Sequence, residues 1–336
     1  MIKIGMIGAG GWALALAVLL NNNGHEVTVW SKVEVEIEGI RKDGENKKSL
    51  PGIKIPSSIK LTTDLRECAE GKDFLVMAVA SPYVRATSKE LAALNIPNLK
   101  IVNVAKGIED ESLMTMTEII SDEIKDVKVA VLSGPSHAEE VGRGIPTSCV
   151  IGAEEKEFAE YLQNVFFSPV FRTYINPDVL GIEVGGSLKN VIALAAGISD
   201  GLEYGDNTKA ALITRGIFEI AKLGVAMGCS KDTFYGLSGI GDLIVTCGSM
   251  HSRNRRAGIL IGQGKTMEEA MEEVKMVVEG VHSTKSAYAL SKKFNIDMPI
   301  IEKVYSVLFE GETAKDGVLE LMNRIPTEEI SNMPWK

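Results

Sequence analysis

The chain has 336 residues, which is long for a single hydrophobic core, so we expect two domains. Its composition, 45% hydrophobic and 24% charged, is that of a globular protein and excludes a largely disordered one. The formal net charge of -9 argues against nucleic acid as a partner, although a small anionic ligand would need only a local cluster of cations.

The first half of the chain alternates short β-rich runs with helical patterns. Most of these runs are continuously apolar, as in strands that are covered on both faces. The alternation predicts parallel strands joined by crossover helices, in a doubly wound, Rossmann-type sheet. The candidate strands are 2–7, 26–30, 74–79, 101–104, 129–132 and 148–151, and the candidate helices are 12–22, 83–94, 112–124 and 154–167.

The pattern changes near Pro177, after which β-rich runs largely stop. We predict an all-α second domain and place the boundary near residue 180, which divides the chain into residues 1–180 and 181–336. The candidate helices are 178–198, 208–227, 254–262, 267–273, 282–294, 299–309 and 313–323.

A glycine-rich turn, Gly8-Ala9-Gly10-Gly11-Trp12-Ala13, joins the first predicted strand to the first predicted helix. Glycines in such a turn allow the backbone to approach a pyrophosphate, which then sits on the helix N-terminus. The GxGxxA pattern alone is weak, and a glycine turn without a ligand is the alternative. Its place at the start of a βα series favours a dinucleotide site in the first domain.

The second predicted strand ends Val29-Trp30-Ser31-Lys32, without the carboxylate that usually binds the ribose. Glu26 lies at the opposite end of that strand. Ser31 and Lys32 could instead bind a 2′-phosphate, so the sequence slightly favours NADP over NAD as the cofactor. A solvated surface lysine is the alternative for Lys32.

Hydride transfer to a ketone needs a proton donor beside the carbonyl. Lys189 stands alone in a helical stretch of small and apolar residues, where burial or a neighbouring cation would lower its pKa towards neutrality. A structural lysine that extends to solvent is the alternative. Lys106 and the turn 133–138 each follow a predicted strand, at the sheet edge where such folds bind ligands.

Two further segments carry polar groups in the second half. Asp242 follows a glycine-rich run and could either cap a helix or orient the Lys189 ammonium. The segment 251–256, His-Ser-Arg-Asn-Arg-Arg, combines arginines, a hydroxyl and helix N-terminal amides, which suits a phosphate dianion. A solvated basic surface is the alternative.

Other sequence features argue against a membrane-spanning segment, a secreted protein and a metal site. We find no apolar run of the roughly 20 residues that cross a bilayer, and the N-terminus enters a strand directly, without room for a signal peptide. The four cysteines show no CxxC spacing and are interpreted as buried thiols in a reducing cytoplasm. The four histidines are far apart, so no metal site is expected.

With these residues, the chain resembles bacterial NAD(P)-dependent glycerol-3-phosphate dehydrogenases over nearly its full length. The matching landmarks, in chain order, are Gly8-Ala9-Gly10-x-Trp12, Lys106-Gly107-Ile108-Glu109, the run 133–141, Leu188-Lys189-Asn190, Gly241-Asp242-Leu243, His251-Ser252-Arg253-Asn254 and the run 277–281.

The resemblance implies roles for individual residues. Lys189 would be the proton donor or acceptor, with Lys106 and Asp242 beside it and Thr246 adjacent. The substrate site would contain Lys106, Gly134, Ser136, Lys189, Asp242, Ser252, Arg253 and Asn254. The cofactor site would contain Gly8, Gly10, Gly11, Trp12, Ser31, Lys32, Lys106, Ala138, Arg253, Val277 and Glu279; Val277 and Glu279 rest on the resemblance alone.

The resemblance also implies a cytoplasmic homodimer that mainly reduces dihydroxyacetone phosphate with NADPH or NADH, for phospholipid synthesis. Two departures bear on cofactor binding. The family usually reads Gly-Ala-Gly-Ser-Trp-Gly-Thr-Ala, where this chain has Gly11, Ala13 and Leu14. A basic or histidine pair usually follows the second strand, where this chain has Ser31-Lys32.

Two other classes stay open at this stage. One is a β-hydroxyacid or ketopantoate-type reductase of the same architecture. The basic cluster at 252–256 argues weakly against this class, because it favours a phosphorylated substrate over the carboxylate substrates of those reductases. The other is a dinucleotide sensor without turnover, against which the presence of both Lys189 and Asp242 argues.

Overall fold

The first half of the chain forms an eight-stranded sheet in the order β3-β2-β1-β4-β5-β6-β7-β8 in the computed structural model, which describes residues 1–326 and 328–329. This confirms the Rossmann-type sheet. The strands are β1 (Lys3–Ile7), β2 (Glu26–Trp30), β3 (Lys60–Thr62), β4 (Phe74–Met77), β5 (Lys100–Asn103), β6 (Lys128–Ser133), β7 (Thr147–Ala153) and β8 (Phe171–Asn176).

The expectation that all strands run parallel is wrong at one place, because β6 and β7 pair antiparallel. The segment between them holds only a five-residue helix and therefore reverses the chain without a full crossover. β3 and β8 were not predicted. β3 has three residues, and β8 alternates buried Phe171 and Thr173 with exposed Arg172 and Tyr174, as an edge strand does.

Helices cover both faces of the sheet. Leu16 and Leu162 belong to the apolar core on one face, and Leu91 and Ile120 to the core on the other. The helices of this half are α1 (Gly11–Asn22), α2 (Glu34–Asp43), α3 (Leu65–Ala69), α4 (Val84–Ala92), α5 (Met116–Glu123), α6 (Ala138–Gly142) and α7 (Lys156–Phe166).

The second half is helical throughout the described residues, as predicted, and packs around its own core. Its helices are α8 (Val179–Gly201), α9 (Asp206–Ala226), α10 (Asp242–Gly248), α11 (Arg253–Gly262), α12 (Met267–Val274), α13 (Glu279–Lys293), α14 (Pro299–Phe309) and α15 (Ala314–Met322). A single π-type turn, Leu237–Gly241, leads into α10.

Helix α8 is the centre of this half. With 23 residues it is long and apolar enough to cross a membrane, so the expectation that no apolar run has that length is wrong. Its most apolar window is 89% buried inside the protein, which makes it a core helix here. At Gly197 an added Cβ would lie 2.1 Å from the Arg255 carbonyl oxygen, so glycine is what lets α11 pack directly on α8.

Candidate active site

The glycine turn has the geometry that a dinucleotide requires. Gly8 has φ +121°, and a Cβ there would lie 2.9 Å from the Ala78 carbonyl oxygen, so only glycine fits. Gly10 directly precedes α1, and the N-terminus of that helix has no side-chain cap. No described atom beyond its chain neighbours lies within 4 Å of the position that a Cβ on Gly10 would take. Open space therefore lies beside Gly10, directly before α1, which fits a pyrophosphate.

The departures from the usual family sequence have local explanations. A Cβ on Gly11 would lie 2.3 Å from the Ser49 carbonyl oxygen, so a serine there would collide with the backbone of this chain. Ala13 and Leu14 are fully buried in the core beneath α1. Their side chains therefore pack against the protein interior.

A carboxylate lies beside the end of β2 after all. Glu36, in the first turn of α2, accepts a hydrogen bond from Ser31 Oγ (2.7 Å) through Oε2. Lys32 pairs instead with Glu90 (2.7 Å), and the Lys32 side chain is 73% exposed. Glu36 was not predicted from the sequence, because it does not lie at the tip of the strand and reaches back to it from the following helix.

Three charged side chains from separate segments form a buried cluster, which we call the lysine–aspartate cluster: Lys106, Lys189 and Asp242. Lys189, on α8, is 6% exposed and donates to Asp242 Oδ1 and to Thr246 Oγ1 (2.7 Å). Lys106, just after β5, donates to Asp242 Oδ2 (2.6 Å) and to the Gly134 carbonyl (3.1 Å). Lys189 therefore does not extend to solvent, and the Asp242 side chain does not cap α10, so neither of the alternatives raised for these residues holds.

The cluster sets the charge states of its members. Burial lowers the pKa of Lys189 to about 8, while Asp242 opposes and Lys106 reinforces that change. Burial alone would raise the pKa of Asp242, but the two ammonium groups outweigh it and lower that pKa. A pKa of about 8 suits Lys189 to proton transfer slightly above neutral pH, while the lowered pKa of Asp242 keeps that carboxylate ionised as its partner.

The turn after β6 closes the cluster from the sheet side. Gly134 has φ +135°, and its carbonyl accepts from Ser136 Oγ (2.9 Å) as well as from Lys106. Three nearby buried atoms lack a hydrogen-bond partner within the described residues: Ser133 Oγ, Ser187 Oγ and His137 Nε2. His137 was not among the predicted site residues, although it lies inside the predicted turn 133–138. Such atoms suit a polar ligand at this edge.

In the basic segment at the start of α11, some side chains are held by partners within the protein and others have no such partner. Ser252 Oγ caps the helix by accepting from the Arg255 amide (3.1 Å), and Arg255 pairs with Asp200 (2.7 Å). Asn254 donates to Asn190 Oδ1 (2.9 Å), one residue from Lys189. The Arg253 guanidinium makes no hydrogen bond within the described residues, and Arg256, whose buried Nε also lacks a partner there, is a second cation of this segment that could bind an anion.

The remaining cofactor candidates lie at the junction of the two halves. Glu279 begins α13 and accepts from the Ser81 amide (3.3 Å) and Ser81 Oγ (2.5 Å), just beyond β4. Ala138 lies 3.7 Å from the Cβ position of Gly11, beside the glycine turn. Val277 is half-buried two residues before Glu279.

A buried carboxyl that was not predicted from the sequence links α8 to the sheet. Glu183, on α8, accepts from Asn103 Nδ2 (3.0 Å) and from the Thr117 amide (3.0 Å). Asn103 in turn holds both backbone groups of Ala105, next to Lys106, at 2.9 and 3.1 Å. Burial raises the pKa of Glu183 to about 7. Its signal in the sequence was a lone acid in an apolar helix, like that of Lys189.

A dinucleotide turn on a Rossmann-type sheet, facing a buried lysine on a helical domain, defines a two-domain NAD(P)-dependent dehydrogenase. The chain belongs to the NAD-dependent glycerol-3-phosphate dehydrogenase family. The model of that family's N-terminus matches residues 3–159, and the model of its C-terminus matches residues 178–319.

Individual relatives agree. The chain is 59% identical to glycerol-3-phosphate dehydrogenase [NAD(P)+] of Fusobacterium nucleatum, over 99% of this chain and all of that protein, and 56% identical to that of Agathobacter rectalis over the full length of both. The crystal structure of glycerol-3-phosphate dehydrogenase from Coxiella burnetii is similar, with a TM-score of 0.93 and 34% identity over 96% of this chain and 99% of that one. Family membership sets aside the ketopantoate-type and sensor alternatives.

Proposed function

We propose that the chain interconverts dihydroxyacetone phosphate and glycerol 3-phosphate, with Lys189 as the general acid and base. The observation that carries this assignment is the lysine–aspartate cluster, which holds a lysine of near-neutral pKa at the carboxyl edge of the sheet. We also propose that residues 1–180 bind the dinucleotide and residues 181–336 supply most of the substrate site.

The proposed mechanism assigns one task to each group. A nicotinamide cofactor, held at the glycine turn, would supply the hydride. Lys189 donates a proton to the carbonyl oxygen as negative charge develops there, and accepts it again in the oxidation direction. Lys106 polarises the same oxygen, and Asp242 holds both ammonium groups in place. Arg253 binds the substrate phosphate, supported by the amides at the start of α11 and by Ser252 and Asn254.

Further assignments rest on the family resemblance. We propose that Gly8, Gly10, Gly11 and Trp12 hold the pyrophosphate and that Ala138, Val277 and Glu279 border the cofactor. We propose a cytoplasmic homodimer that works mainly in the direction of reduction.

A substrate comparison tests the reaction. The purified protein should oxidise NADH or NADPH with dihydroxyacetone phosphate, and much more slowly with ketopantoate or a short β-keto acid. Turnover of either carboxylate in preference to the phosphate would contradict the proposed function.

A further inference from the structure

The space beside the end of β2 is organised around one carboxylate. Glu36 receives Ser31 Oγ on Oε2 (2.7 Å) and Asn46 Nδ2 on Oε1 (3.1 Å). The same Asn46 amide donates to the carbonyl of Ala9 (3.2 Å), inside the glycine turn. Glu36 is therefore fixed directly to the strand end and, through Asn46, to the glycine turn, the two segments that border the adenosine ribose of a dinucleotide in this fold.

We infer that Glu36 is the ribose-binding acid of this chain and makes it favour NADH over NADPH. This inference rests on the proposed reaction, in which both cofactors are candidates. A fixed carboxylate accepts hydrogen bonds from the 2′- and 3′-hydroxyls of the NAD ribose. The same carboxylate repels the 2′-phosphate of NADP, and a like charge held in place by two hydrogen bonds cannot easily turn away.

The neighbouring cations do not offset this charge. Lys32 is engaged with Glu90 on α4, and Arg41 of α2 donates to the Leu61 carbonyl (2.6 Å). Within the described part of the chain, no lysine or arginine forms an ion pair with Glu36. Lys32 is largely exposed, and its surface ion pair with Glu90 is weak. Lys32 could therefore bind a 2′-phosphate, but it would have to break the ion pair with Glu90. The slight lean towards NADP drawn from Ser31 and Lys32 is thus opposed by the contacts around them.

The test compares Glu36→Gln with Glu34→Gln. Both variants remove one negative charge from the first turn of α2, but Glu34 is exposed and lies outside the Ser31–Asn46 network. Dissociation constants for NADH and NADPH are measured by quenching of tryptophan fluorescence, and kcat/KM is measured with dihydroxyacetone phosphate. We expect the wild-type protein to bind NADH more tightly than NADPH, by about tenfold.

Glu36→Gln should shift the binding ratio towards NADPH by about tenfold, and Glu34→Gln by less than about twofold. Tighter binding of NADPH by the wild type, or an equal shift in both variants, would overturn the inference. Because the binding ratio does not depend on turnover, a protein that binds both cofactors but reduces no dihydroxyacetone phosphate would count against the proposed reaction alone.

Discussion

Replacing Lys189 by methionine tests the proposed proton donor directly. Methionine has a similar length and no charge, and Lys189 is buried, so the change removes the proton and leaves most of the packing. Asp242 would not become an unpaired buried charge, because Lys106 remains bound to it at 2.6 Å. The variant should therefore fold, which circular dichroism and a thermal melt would verify.

The expected loss of activity follows from the role. Positioned proton transfer typically contributes about 10²- to 10⁴-fold in rate, so kcat should fall by at least about 10²-fold. Cofactor binding should persist, because Lys189 lies on the helical side of the site, and fluorescence titration would measure it. A folded Lys189→Met protein with near-normal kcat would refute the mechanism, whereas a variant that does not fold would indicate a structural lysine.

The pH profile supplies an independent check on the same residue. With a pKa of about 8, the Lys189 ammonium is lost as the pH rises through that value. Reduction needs the protonated form, so kcat for reduction should fall above about pH 8, while kcat for oxidation should rise. Lys106→Met removes a like charge and frees Asp242 for Lys189 alone. Both effects raise the pKa of Lys189, so the falling limb should move to higher pH; a limb that stays in place would contradict the coupling.

Three further predictions concern substitutions of residues in these contacts. Arg253→Lys should raise the KM for dihydroxyacetone phosphate about tenfold with little change in kcat, because a point charge cannot replace a bidentate fork; an unchanged KM would rule out a phosphate contact. Asp242→Asn should lower the pKa of Lys189, move the falling limb of reduction to lower pH, and lower the melting temperature; an unmoved limb would show that Asp242 does not act on Lys189. Glu183→Leu should lower kcat about tenfold, and Glu183→Gln should retain most of the wild-type kcat. Glu219→Leu is the control: Glu219 is another buried acid, which accepts hydrogen bonds from the first amides of α14, and its loss should lower only stability. Equal kcat values in the Glu183→Leu and Glu219→Leu proteins would remove Glu183 from the positioning of Lys106.

The parts of the fold that follow from periodicity were predictable. Buried parallel strands are continuous apolar runs, so β1, β2, β4 and β5 stand out, and long amphipathic or apolar helices such as α8 do as well. β8 escaped because its alternating pattern is that of an edge strand, and the reversal at β7 escaped because direction is not written in a strand's composition. Helices α3 and α6 have only five residues, fewer than two turns, and therefore give no periodic signal.

The site was predictable to the extent that chemistry leaves unusual residues in unusual places. Lys189 and Asp242 are charges in apolar or glycine-rich segments, where burial without a partner would cost several kcal/mol, so a partner could be expected. Glu36 carried no such mark, because an acid in the first turn of a helix is ordinary on grounds of the helix dipole alone. Its contact with Ser31 depends on how α2 is placed, which only the folded chain determines.

One helix sets the distance between the two ends of the proposed substrate. Lys189 and Asn190 are consecutive on α8; Lys189 belongs to the lysine–aspartate cluster, and Asn190 holds Asn254, next to Arg253. Gly197 brings the backbone of α11 against the same helix, where any side chain would push the two apart. The proposed proton donor and the proposed phosphate-binding arginine are thus carried by two helices in direct contact, so we expect the site to discriminate against a substrate whose phosphate lies at a different distance from its carbonyl.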